Sequence, residues 1–268
     1  MSVDVRARNN VSIVGVDNGP TVMLAHGFGC DQHLWRAVTD LLTPTCRVVL
    51  FDHVGAGASD LAAWDEERYS SLDAYAADVV DIVTDLDLRN VTFVGHSVAS
   101  MIGVLAAAAR PDLFARLILL TPSPRYIDDG DYRGGFSRAD IDELLDSLDS
   151  NYLGWSSQMA PRIMGNPDRP ELGEELTESF CRTDPACARS FARATFLSDN
   201  RADLARVVTP TLVIDCANDS LAPPSVGRYV CDNIAGSSSV TLDASGHCPH
   251  VSNPDITSQA ILSFVDFS

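Results

Sequence analysis

A serine set between an apolar strand and an apolar helix has the type and placement from which nucleophilic chemistry is built. Ser97 has that placement: it lies in Gly95-His96-Ser97-Val98-Ala99, after the β-branched run Val91–Val94 and at the head of the apolar stretch Val98–Ala109. A strand that becomes a helix at one residue pushes that side chain outward in a strained conformation. It also leaves the first helical N–H groups free beside it. An exposed hydroxyl next to unpaired backbone donors suits acyl transfer, which needs a nucleophile and a place for the developing oxyanion. The pattern is G-x-S-x-A rather than G-x-S-x-G, with Ala99 the next smallest residue at the last position. The same letters describe a serine that merely caps a helix, so the reading depends on partners.

A serine nucleophile needs a base, and the base an orienting acid. Of the six histidines (26, 33, 53, 96, 247 and 250), the chain order Ser…Asp…His leaves His247 and His250. His247 follows directly on the run ending at Leu242, in Ala244-Ser245-Gly246-His247, which puts it on the same sheet edge as Ser97. His250 lies nearer the next helix and is expected to cap or pack it. Two aspartates follow Thr211–Ile214: Asp215 at the end of the run, and Asp219 in the loop before Pro223-Pro224. Asp219 is the expected acid, because a loop carboxylate can reach a histidine on the neighbouring loop.

The second oxyanion donor is expected in Ala25-His26-Gly27-Phe28-Gly29, where two glycines permit a tight turn. The N–H of Phe28, with that of Val98, forms the expected oxyanion hole. His26 and His96 are expected to pack and hydrogen-bond without transferring protons. Asp52–Ser59 contains a G-x-G after a strand, but it lacks the third glycine and the following helix of a dinucleotide fingerprint. It reads as a tight loop, and no cofactor is expected.

These residues must be positioned by alternating elements. Strands are predicted at Val11–Val16, Thr21–Ala25, Arg47–Phe51, Val91–Val94, Leu117–Leu120, Thr211–Ile214 and Ser239–Leu242. The later ones are continuously apolar, as parallel strands covered on both faces are. Helices are predicted at Asp31–Leu42, Ser71–Leu86, Val98–Ala109, Ser225–Asn233 and Pro254–Phe264. This alternation predicts an α/β fold, a doubly wound parallel sheet. From about Arg125 to Ser198 no strand is convincing. Helical segments appear instead at Arg138–Asp149, Glu171–Cys181 and Ala186–Phe196, and the block holds eight of the nineteen aromatic residues. It reads as a lid over the carboxyl edge of the sheet, where ligands bind in open α/β sheets. The expected division is core over 1–124, lid over 125–198 and core again over 199–268.

At 268 residues the chain can bury a full core, and its net charge of −18 opposes nucleic acid and anionic membrane surfaces as partners. No apolar stretch is long enough to span a bilayer, and MSVDVRARNN carries no hydrophobic leader, so a cytoplasmic location is expected. Seven cysteines without C-x-x-C pairs suggest reduced thiols, and no metal site is expected.

With these residues in place, the whole chain resembles an α/β-hydrolase. It is specifically similar to the RsbQ-type branch, which includes the plant strigolactone and karrikin receptors. The stretches that carry the resemblance are HGFGCDQHLW (26–35), RVVLFDHVGAGASD (47–60), RYSSLDAYAADVVDI (68–82), GHSVASMIGVLAA (95–107), RPDLFARL (110–117), SPRYIDDGDYRGGF (123–136), FLSDNRADL (196–204) and GHCPH (246–250). The resemblance implies a V-shaped lid of four helices and a triad of Ser97, Asp219 and His247. Carried over by position, it implies an apolar pocket lined by Phe28, Tyr126, Phe136, Trp155 and Phe196. Ala99 and Ser100 depart from the glycine or serine plus alanine that follow GHSV in relatives.

Two functions fit. One is cofactor-free hydrolysis of a small, mostly apolar ester or lactone. The other is a ligand-sensing module that signals through its lid to a protein partner; in the RsbQ-type case the resemblance implies a phosphatase of a stress sigma-factor cascade. Perhydrolysis or carbon–carbon cleavage on the same frame is a weaker third. Haloalkane and epoxide chemistry is disfavoured, since it needs an aspartate at the position of Ser97.

Overall fold

The apolar runs assemble into one seven-stranded sheet in the computed structural model, which describes residues 4–265. Its strands are Ser12–Gly15 (β1), Thr21–Ala25 (β2), Arg47–Leu50 (β3), Val91–His96 (β4), Phe114–Leu120 (β5), Thr211–Asn218 (β6) and Ser238–Ser245 (β7). The spatial order is β1-β3-β2-β4-β5-β6-β7. β1 runs antiparallel to β3, and every other pairing is parallel.

The helices are Val5–Arg8 (α1), Arg36–Leu42 (α2), Leu72–Asp85 (α3), Val98–Ala109 (α4), Arg138–Ser150 (α5), Tyr152–Met164 (α6), Pro170–Arg182 (α7), Pro185–Phe196 (α8), Arg201–Leu204 (α9), Pro224–Asn233 (α10), Pro249–Ser252 (α11) and Pro254–Phe264 (α12). None is long and apolar enough to cross a membrane.

β2 alternates its burial between the two faces. Met23 and Ala25 join the core that contains α3 and α4, whereas Val22 and Leu24 pack with Trp35, Val38 and Leu42 against the α2 and α12 side. α4 is apolar on all sides and buried along nearly its whole length, so it has no solvent face. Gly103 lets it lie close on β4: a Cβ there would stand 2.5 Å from the Phe93 ring.

The four consecutive helices α5–α8 interrupt the alternation between β5 and β6. α6 is the helix that periodicity does not announce, because Gly154 weakens it and Pro161 removes a donor near its end. The helix stops at Gly165, left-handed at φ 65°. The predicted helix at Asp31–Leu42 is also divided, into a 3₁₀ turn at Gln32–Trp35 and α2.

Candidate active site

The bend after β4 is as sharp as its residue pattern requires. Ser97 adopts φ 57° and ψ −123°, a strained conformation for a residue with a Cβ. Gly95 makes the bend possible, since a Cβ at that position would lie 2.4 Å from the Ala99 carbonyl oxygen. The Ser97 N–H donates to Leu120 O at 2.8 Å, and the Ser100 hydroxyl donates to Gly95 O at 2.7 Å, so both sides of the turn are tied down. The side chain is not solvent-exposed as the bend alone suggests. Ser97 is 6% exposed, and Ile163, Leu176 and Phe180 of the helical insertion border the space beside it.

The sheet then brings three residues distant in sequence into line. His247 Nε2 is 2.8 Å from Ser97 Oγ, and His247 Nδ1 is 2.7 Å from Asp219 Oδ2. The other Asp219 oxygen accepts the N–H groups of Leu221 at 2.8 Å and Ala222 at 3.1 Å, which fixes the carboxylate in the loop after β6. This arrangement can take a proton from the serine hydroxyl at Nε2 and stabilise the resulting imidazolium from Nδ1. Asp215 remains inside β6 and reaches neither histidine nitrogen. Burial raises its carboxyl to about 7, with Asp219 adding to the rise.

The loop after β2 carries the second expected donor. His26 and His53 brace it reciprocally: the His53 N–H donates to His26 Nε2 at 3.1 Å, and His53 Nε2 donates to the His26 carbonyl at 3.0 Å. Gly27 lies against the elbow, where a Cβ would meet His96 Nδ1 at 2.7 Å and Ser97 Cβ at 3.2 Å. Val98 is the first residue of α4, so its N–H has no intrahelical acceptor. The Phe28 N–H likewise enters none of the backbone hydrogen bonds among the described residues.

His96 and His250 serve packing and alignment. His96 Nε2 donates to the His247 carbonyl at 2.8 Å, and burial holds its ring well below the ordinary histidine range and therefore neutral. His250 packs between Trp35, at 4.4 Å, and His96, at 4.3 Å, with its ring tilted to both, and burial pushes it down to about 3.

Phe28, Tyr126 and Phe196 line the cavity at Ser97, together with Cys30, Leu176 and Phe180. Trp155 and Phe136 do not border it. Trp155 stacks flat on Phe180 at 5.8 Å, and Phe136 sits behind Tyr126 at 6.4 Å, so each supports a lining ring from the next layer. The Tyr126 hydroxyl is 3.5 Å from Ser97 Oγ, and burial raises its phenol to about 12. The cavity itself is only about 20 Å³, the space of roughly one water. A larger hollow of about 840 Å³ lies between α6 and α7 and touches none of Ser97, Asp219 or His247.

A model of the alpha/beta hydrolase family matches residues 22–260, nearly the whole chain. The chain belongs to that family. This alpha/beta hydrolase is 38% identical over 262 residues to karrikin insensitive 2 receptor CA of Petunia hybrida, covering 97% of each chain. It is 39% identical over 246 residues to strigolactone esterase D14 of Arabidopsis thaliana, covering 91% of each. A solved hydrolase from Oleispira antarctica superposes with a TM-score of 0.95 at 44% identity, over 97% of this chain and 96% of that one. The expected fold and the expected hydrolase class both hold for this alpha/beta hydrolase.

Several neighbours of its site escape sequence reasoning. Leu176 and Phe180 enter the cavity from α7, and Thr121 Oγ1 lies 3.2 Å from the His247 carbonyl. Nothing local marks them, since their roles depend on where α7 and β7 come to rest.

Proposed function

We propose that this protein is a serine esterase or lactonase acting on a small, mostly apolar ester or lactone through Ser97, His247 and Asp219. The observation that carries the reading is the continuous line from Asp219 Oδ2 through His247 to Ser97 Oγ, at 2.7 and 2.8 Å. Ser97 attacks the carbonyl carbon while His247 Nε2 takes its proton. The same nitrogen then protonates the leaving oxygen, and water repeats the sequence on the acyl-enzyme. The N–H groups of Phe28 and Val98 receive the oxyanion. The apolar lining selects apolar acyl groups, and the acidic chain disfavours polyanions.

A cavity of about 20 Å³ cannot hold an ester, so the reading requires residues 125–198 to act as a lid over the core segments 1–124 and 199–268 and to yield on binding. The test is burst release of nitrophenol from p-nitrophenyl acetate, expected for the natural chain and lost in Ser97→Ala. Equal rates from both proteins would overturn the proposal.

A second reading, ligand sensing through a protein partner as in the RsbQ type, draws on the receptor name of the Petunia relative and on the helical lid. Ligand-dependent co-purification of a partner, abolished by charge reversal on the outer face of α7, is its expected signature. Absence of any ligand-dependent partner removes its motive.

A further inference from the structure

The main chain of His247 is held from two directions. Its carbonyl accepts His96 Nε2 at 2.8 Å from the core, whereas its N–H donates to the Ile163 carbonyl at 2.9 Å, in the last turn of α6. The final carbonyls of a helix have no intrahelical donors and must find others. Here the Ile163 carbonyl finds the histidine loop. The next carbonyl, that of Met164, accepts Asn166 Nδ2 at 2.6 Å, and the same amide nitrogen donates to Ser245 O at 3.0 Å.

Arg169 completes the brace. One guanidinium nitrogen donates to Asn166 Oδ1 at 2.7 Å, which sets the amide's orientation, and another donates to the Ser252 carbonyl at 2.8 Å. The two backbones meet at glycines. A Cβ on Gly246 would stand 1.8 Å from Met164 O, and one on Gly165 would stand 2.8 Å from the Gly246 Cα. The contact is thus a fitted seat between the α6–α7 turn and residues 245–247.

We infer that Asn166, oriented by Arg169, is a positioning residue that clamps the α6–α7 turn onto Ser245–His247, so that alignment of the His247 imidazole depends on that turn being seated. The inference rests on the proposed role of His247 as base. Its consequence is a coupling in which displacing the α6–α7 pair to admit a substrate releases the His247 N–H, and reseating the pair restores the geometry needed for proton transfer.

The test uses Asn166→Asp, which keeps shape and the Arg169 contact but faces Met164 O and Ser245 O with acceptors instead of donors. Arg169→Lys is the companion variant, and Ser97→Ala the control. The readouts are steady-state hydrolysis of p-nitrophenyl acetate and the low-field proton resonance of the His247 Nδ1–H on Asp219. The expected result is a fall in kcat of about 10–100-fold, with little change in KM and a shifted or broadened resonance. An unchanged resonance overturns the inference, whether kcat is unchanged or KM rises instead. An active Ser97→Ala protein would refute the hydrolytic reading separately, because the resonance reports the brace without turnover. Circular dichroism of each variant separates a seated from an unfolded chain.

Discussion

Asp219 stands just past the end of β6 and Asp215 four residues earlier within it, and only Asp219 meets His247. Asp219 lies past the strand and holds His247 Nδ1 at 2.7 Å, while Asp215 stays within β6 against Gly227. Asp219→Asn is therefore expected to lower kcat by about 10⁴-fold, because an amide no longer favours the imidazolium. Asp215→Asn is expected to leave kcat near the natural value. Hydrolysis rates of the two purified variants decide the matter; comparable losses in both would show that the acid is shared.

Asp215 should instead set a pH dependence of stability. An unfolded aspartate titrates near about 3.9, whereas burial raises the folded Asp215 to about 7. Between those values the folded chain keeps a proton that the unfolded chain has released. The stability contributed by the protonated carboxyl is thus full below the unfolded value and is lost as pH rises toward 7. Asp215→Asn should gain in Tm relative to the natural protein, by more at pH values above this window than below it. A constant Tm difference at every pH contradicts this.

His250 acts with the opposite sign. Its folded value of about 3 lies below the unfolded histidine value of about 6.5. The unfolded chain therefore binds the extra proton first, and stability falls as pH drops through that window. His250→Phe keeps an aromatic ring between Trp35 and His96 and removes one titrating ring. Its acid-unfolding midpoint, followed by circular dichroism, should lie at lower pH than that of the natural protein.

Phe180 borders the cavity beside Ser97. It is 2% exposed, stacks on Trp155 at 5.8 Å and meets Phe28 edge-on at 5.8 Å. Phe180→Leu should raise kcat/KM for p-nitrophenyl butyrate relative to the acetate, at a stability cost of about 1–2 kcal/mol. A butyrate-to-acetate ratio equal to that of the natural protein would mean that access is governed elsewhere.

The elbow at Ser97 and the placement of His247 and Asp219 beside it were legible because each depends on local pattern: an apolar run, an abrupt end, and a polar residue just beyond it. The central strands were legible for the same reason, their burial on both faces leaving continuous apolar letters. α6 was not, since Gly154 and Pro161 interrupt its periodicity and tertiary packing supplies what propensity lacks. Trp155 and Phe136 were assigned to the pocket by position, yet they stand one layer behind it, because which aromatic faces the cavity depends on helix rotation within the insertion.

By itself the chain determined the sheet, the bend that strains Ser97, and the types and order of the groups that could serve it, all properties of residues near one another in sequence. Only the tertiary structure decided that the Ser97 hydroxyl is covered, that the space beside it shrinks to about 20 Å³, and that the end of α6 grips His247. The last of these arises where an orphan carbonyl of α6, that of Ile163, meets the His247 N–H some eighty residues away, and no local pattern encodes such a meeting.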